Sequence, residues 1–107
     1  MKIFDTVNEL KFYLKKQKKS SKTIGFVPTM GALHDGHISL IYNAKKENNI
    51  VVCSIFVNPK QFNDPKDLVN YPRTVNEDIK KLKKVKCDVL FIPTVKEIYQ
   101  DTDNESF

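Results

Sequence analysis

Long apolar runs are missing from this chain. Charges interrupt every apolar cluster of the first twenty residues, MKIFDTVNELKFYLKKQKKS, so neither a signal-peptide core nor a bilayer-spanning helix can be drawn there. A cytoplasmic protein with no membrane partner is expected. Cysteine is scarce: Cys53 lies inside an apolar run and Cys87 just before another, with neither the paired spacing of a zinc site nor the density of a secreted disulfide scaffold. Both read as reduced and structural. Arginine is nearly absent too. The net charge of +5 is carried by lysine, Arg73 being the only arginine, and nucleic acid is therefore not expected as a partner. The clusters Lys15 to Lys22 and Lys80 to Lys86 fall on predicted helix ends, where cations oppose the negative pole of the macrodipole and keep the surface solvated. Several catalytic patterns are lacking as well: Asp64, Asp67, Asp78 and Asp88 form no carboxylate pair, and neither a hydrolase serine–histidine pattern nor a Walker loop occurs.

What remains is patterning. With 107 residues, 40% of them apolar, the chain has room for one domain over 1–107. Thr6 and Glu9 have capping-box spacing, and Val7, Leu10 and Leu14 follow at helical intervals, which predicts a helix from Thr6 to Lys18. Two runs read as buried strands, Ile24 to Val27 stopped by Pro28, and Ile50 to Val57 stopped by Asn58-Pro59. Between them His37, Leu40, Ile41 and Ala44 recur at i, i+3, i+4 and i+7, predicting a helix from Gly36 to Glu47. Thr74 and Glu77 again have capping-box spacing before Ile79 and Leu82, and Asp88 to Ile92 reads as a third strand ending at Pro93. The order helix, then βαβαβ, implies an α/β fold: a parallel sheet with helical crossovers, half of a doubly wound nucleotide-binding domain. The closing stretch QDTDNESF is polar apart from Phe107 and has no element to end on, which reads as truncation.

In open parallel sheets ligands bind beyond the carboxyl ends of the strands. The segment after the first predicted strand is Pro28-Thr29-Met30-Gly31-Ala32-Leu33-His34-Asp35-Gly36-His37. It brings two glycines and a His-x-Gly-His to a helix start. Unpaired amides and partial positive charge make phosphate the natural guest of such a start, and imidazoles add donors that strengthen as negative charge builds. Two histidines three apart are also half of a metal site, but no nearby cysteine or third histidine completes it, so no metal ligand is assigned. In the segment after the second strand, the amides of Asn58 and Gln61 suit a small hydroxy acid and Phe62 offers an apolar wall; an ordinary polar turn fits the same spacing. Tyr71-Pro72-Arg73 reads as a rigid turn with the tyrosine and arginine free to face the cleft.

Taken in order, PTMGALHDGH, SIFVNPKQF, YPRT and DVLFIP with EIY resemble the pantothenate synthetases over nearly all of Ile24 to Tyr99. The resemblance implies a Rossmann-like nucleotidyltransferase half-domain and a two-step reaction. Pantoate is adenylated by ATP with loss of pyrophosphate, and β-alanine then displaces AMP to give pantothenate, a precursor of coenzyme A. It further implies that Met30, Gly31, Ala32, Leu33, His34, Asp35, Gly36 and His37 contact ATP, with His34 and His37 catalytic at the phosphates and His37 the acid. Gln61 is implied to hold pantoate beside the β-alanine position, with Pro28, Thr29, Met30, Asn58 and Tyr71 lining that pocket. Magnesium is implied as the companion of ATP, and a homodimer as the assembly.

The chain departs from the family pattern in two places. Tyr99-Gln100 stands where the family commonly has Tyr-Pro. The family's downstream lysine, its Ser-Ser-Arg loop and its carboxy-terminal domain are not among these residues, so the chain by itself is expected to be inactive. Two other readings keep the fold: another His-x-Gly-His nucleotidylyltransferase, which does not call for Asn58-Pro59-Lys60-Gln61-Phe62, and a non-catalytic nucleotide-binding or dimerisation module.

Overall fold

A computed structural model describes residues 1–99; the polar stretch from Gln100 to Phe107 lies outside the described residues. Four parallel strands make one sheet in the order β1-β4-β3-β2: β1 (Lys2–Phe4), β2 (Ile24–Thr29), β3 (Ile50–Ile55) and β4 (Val89–Phe91). Helices α1 (Val7–Lys19), α2 (Asp35–Glu47), α3 (Pro65–Asn70) and α4 (Val75–Lys84) connect them. The parallel sheet with helical crossovers is thus present, and a strand precedes the first helix. The run Lys2-Ile3-Phe4 is three residues long and carries no alternation, so β1 exists because β4 offers it a ladder, Lys2 facing Val89 and Phe4 facing Phe91.

Both faces of the sheet are covered, which is why β3 reads as unbroken apolar sequence and is buried throughout. Val51, Cys53, Ile55 and Leu90 face α2 and α4 through Ile41 and Leu82, while Ile50, Val52, Val89 and Phe91 face α1 through Leu10. Both cysteines are free and buried, and burial pushes the Cys53 thiol up to about 12, so no thiolate is available for nucleophilic work. At the end of the sheet remote from the strand carboxyl ends, Asp88 accepts the Val51 N–H at 2.8 Å and pairs with Lys45 of α2 at 3.3 Å.

Several boundaries differ from the sequence expectation. Pro28 does not stop β2, which runs on to Thr29: β2 is an edge strand, and only there can a residue without an N–H continue a ladder. Strand β3 ends at Ile55, and Asn58 instead caps a 3-10 turn over Pro59–Gln61 by accepting from the Lys60 N–H at 3.0 Å. Helix α2 starts one residue early, at Asp35, and β4 is confined to Val89–Phe91. Thr6 does cap α1, accepting from the Glu9 N–H at 3.3 Å. Thr74 does not form its predicted capping box with Glu77, because its hydroxyl turns to Asp78 at 3.3 Å. Arg73 borders the cleft but its guanidinium is not free: it donates to the carbonyls of Leu68 and Tyr71 at 3.1 and 2.9 Å, closing the end of α3.

Candidate functional site

The loop that follows β2 is held by hydrogen bonds along most of its length. Buried Thr29 donates its hydroxyl to the Ser54 carbonyl at 2.8 Å and accepts the Gly31 N–H at 3.1 Å, which turns the chain sharply. Gly31 has φ +84, which strains any residue with a Cβ, and an added Cβ would also stand a tight 3.1 Å from Ile55. Ala32 has φ +50, a left-handed conformation costing a residue with a Cβ roughly 1–2 kcal/mol. Asp78 offsets that cost. Fully buried on α4, it accepts the N–H of Ala32 at 3.1 Å and of Leu33 at 2.9 Å, while Lys81 donates to the Leu33 carbonyl at 2.7 Å.

The two histidines then close the start of α2 reciprocally. His34, the N-cap, accepts the Gly36 N–H at its Nδ1 (3.0 Å), and His37 Nδ1 accepts the His34 N–H at 3.1 Å. The rings lie 4.0 Å apart, centroid to centroid. A neutral imidazole that accepts at Nδ1 must carry its proton on Nε2, so both rings present an Nε2–H donor away from the backbone. Gly36 makes the arrangement possible: a Cβ there would stand 2.8 Å from His34 Cε1. The first-turn amides of α2 share the helix's positive pole with these two donors. The arrangement suits an anion with several acceptor oxygens.

Burial, above all, lowers the His37 pKa from the ordinary histidine value; His34 lowers it further and Asp78 opposes both. The ring is therefore neutral at pH 7, as its acceptor role requires. Because the folded pKa lies below the unfolded value of about 6.5, the stability His37 contributes is present above that value and is lost as pH falls through the folded one. An NMR titration of the imidazole should give a midpoint under about 6.5, with loss of protection at the His34 amide on the acid side. A midpoint above the ordinary value would contradict this electrostatic picture.

The residues singled out from the sequence separate into distinct roles. His34, Asp35 and Gly36 are exposed at the helix start and His37 is half-buried; for the acidic Asp35 the amide rather than the carboxylate suits an anion. Leu33 is core, 2% exposed, with both backbone groups engaged. The hydroxyl of Thr29 is likewise committed. Met30 and Gly31 line a cavity of about 260 Å³ at the strand carboxyl ends, walled by Ile55, Arg73, Asp78 and Pro93. His34, His37, Gln61, Asn58, Tyr71 and Pro28 do not line it. Gln61 and Pro28 are exposed, Asn58 Oδ1 accepts from Lys60 and from the Tyr99 hydroxyl, and the Tyr71 ring meets Phe62 edge-on at 5.6 Å. Among the described residues no group of three or more His, Cys, Asp or Glu is placed to hold a metal ion.

Asp78 and Lys81 escaped the sequence reading. A signal existed: an acid four residues before Leu82 sits on the apolar stripe of α4, where a solvated carboxylate does not belong.

The family model for pantoate-beta-alanine ligase matches residues 2–106. The chain belongs to that family. It is 50% identical over 107 residues to the pantothenate synthetase of Porphyromonas gingivalis, covering 100% of this chain and 38% of that protein. To the pantothenate synthetase of Thermosipho africanus it is 48% identical over 102 residues, 95% of this chain and 37% of the relative. The fold is that of the solved ligases. A pantoate-beta-alanine ligase from Francisella tularensis, complexed with beta-gamma ATP and beta-alanine, superposes with TM-score 0.83 at 48% identity, covering 94% of this chain and 38% of that one. Pantothenate synthetase from Thermus thermophilus gives TM-score 0.83 at 43% identity, with 92% and 34% covered. This ligase-family chain thus spans little more than a third of the length of the relatives it matches.

Proposed function

We propose that this chain forms the nucleotide-activating part of a pantothenate synthetase, with ATP, pantoate and β-alanine as its small-molecule substrates. One observation carries the reading: both imidazoles of His-x-Gly-His are fixed by backbone donors at Nδ1, which turns two Nε2–H groups outward at a helix amino terminus. In the first step a pantoate carboxylate oxygen attacks the α-phosphorus of ATP, the bond from that phosphorus to the bridging oxygen breaks, and pyrophosphate leaves. His34 and His37 donate hydrogen bonds from Nε2–H to phosphate oxygens as charge accumulates on them, and neither ring gives up its proton. In the second step the amine of β-alanine attacks the acyl carbon and AMP departs. Magnesium would come as the ATP complex and offset phosphate charge, and no residue of this chain is assigned to hold it. A cytoplasmic homodimer is the setting this reading proposes.

Acting alone, the chain should not turn over. Among the described residues the donors assigned to phosphate, on His34 and His37, stand together at one helix start, and adenylation needs donors from more than one side, with water excluded. Pantoate is assigned to Gln61, which is exposed and whose amide both donates and accepts. The test is calorimetric titration of ATP and pantoate into the chain with the downstream part of a relative supplied. Gln61→Ala should weaken pantoate binding about tenfold and ATP binding much less, the loss expected for one well-placed polar contact. Equal losses for the two ligands would mean that Gln61 supports its turn and does not read the substrate.

A further inference from the structure

We propose that Asp78 and Lys81 are positioning residues which set the loop between β2 and α2 and so aim the two imidazoles. The functional part of this inference rests on the phosphate site proposed above. The two side chains stand three apart on α4 and read one stretch of backbone with opposite chemistry. The Asp78 carboxylate takes the N–H groups of Ala32 and Leu33, and the Lys81 ammonium takes the Leu33 carbonyl. Thr74, one turn earlier, donates its hydroxyl to both carboxylate oxygens, at 3.3 and 3.4 Å, and fixes their direction.

This exceeds what stability requires. A carboxylate with no exposed surface is costly to desolvate, and a leucine at the same place on the α4 stripe would pack against the sheet without that cost. What leucine could not do is hold Ala32 at positive φ. That conformation decides where the next residues go: His34 leaves the loop extended, at φ −129 and ψ −177, so that its ring folds back over the Gly36 N–H. Remove the carboxylate and the loop loses the acceptor for two successive amides, that of Leu33 buried; the ring of His37, which takes the His34 amide, loses its fixed tautomer.

The experiment is nitrogen-15 NMR of the chain and its Asp78→Asn variant, reading the imidazole nitrogens and amide exchange. Asparagine keeps the shape but turns an NH₂ toward a donor, leaving one loop amide unpaired. Expected are retained protection across β3, exchange at Ala32 and Leu33 at least about tenfold faster, and a mixture of tautomers at His34 and His37 in place of one. A merely structural carboxylate would change the melting temperature and leave the rings as they were, so unchanged ring signals in a folded variant overturn the proposal. Should Asp78→Asn fail to fold, Lys81→Met decides by the same readouts, because it loosens the clamp without touching the buried carboxylate. Titrating Mg-ATP into the wild-type chain with a relative's downstream part present separates the two claims. If both rings stay unmoved there, the phosphate reading fails, while the ring response to Asp78→Asn still decides for or against the clamp.

Discussion

Replacing His37 by alanine should slow adenylate formation by about a hundredfold or more, measured as pyrophosphate release with the downstream part of a relative supplied. Two losses combine. The Nε2–H donor disappears from the place where phosphate oxygens gain charge, and a preorganised donor of this kind is worth on the order of 3 kcal/mol in a water-poor site. The His34 N–H also loses its acceptor, which loosens the ring that supplies the second donor. Neither loss reaches the sheet, since His37 belongs to neither core cluster, so the stability cost should stay near the ~1 kcal/mol of a lost cap, a fall in melting temperature of about 4–8 °C. A variant within about threefold of wild type would remove His37 from the chemistry and leave it as a helix cap.

Leu82→Ala should be strongly destabilising, costing about 2–5 kcal/mol out of a total that for a domain of this size is roughly 5–15. Leu82 has no exposed surface and meets the sheet within the cluster that includes Ile41, Val51, Cys53 and Leu90. Truncation leaves a cavity beneath α4, and the neighbours cannot close it without moving β3 or β4. The effect should extend to the loop, because α4 carries both Asp78 and Lys81; exchange at Ala32 and Leu33 should accelerate more than global stability alone dictates. Denaturant unfolding checks the first claim and site-resolved exchange the second. A loss below about 1 kcal/mol would mean that α4 is not an anchoring element.

Much of this was legible from residue order. The three longer helices and the strands after the first announce themselves by periodicity or by apolar runs ended by proline, and the phosphate-seeking character of PTMGALHDGH follows from two histidines and two glycines at a helix start. Other features were not legible, for reasons that share a cause. Strand β1 depends on a partner near the other end of the chain, Pro28 is tolerated only because β2 lies at an edge, and the hydroxyl of Thr74 is diverted by a carboxylate whose own partners lie more than forty residues earlier. Local propensity holds no record of such pairings. The tautomers of His34 and His37 are of the same kind, set by backbone amides whose directions exist only once the loop is closed.

The parallel order of the sheet also has a consequence for synthesis. Residues 24–55 complete β2, α2 and β3 by themselves, whereas β1 waits for β4, and the loop's anchors at Asp78 and Lys81 leave the ribosome roughly forty residues after the histidines. At about 5–20 residues per second, that leaves the loop without its Asp78 and Lys81 partners for several seconds in every newly made molecule, and the buried face of α2 without its neighbour α4. During that interval a nascent-chain chaperone would meet the site's own strand and helix as an apolar, unfinished surface.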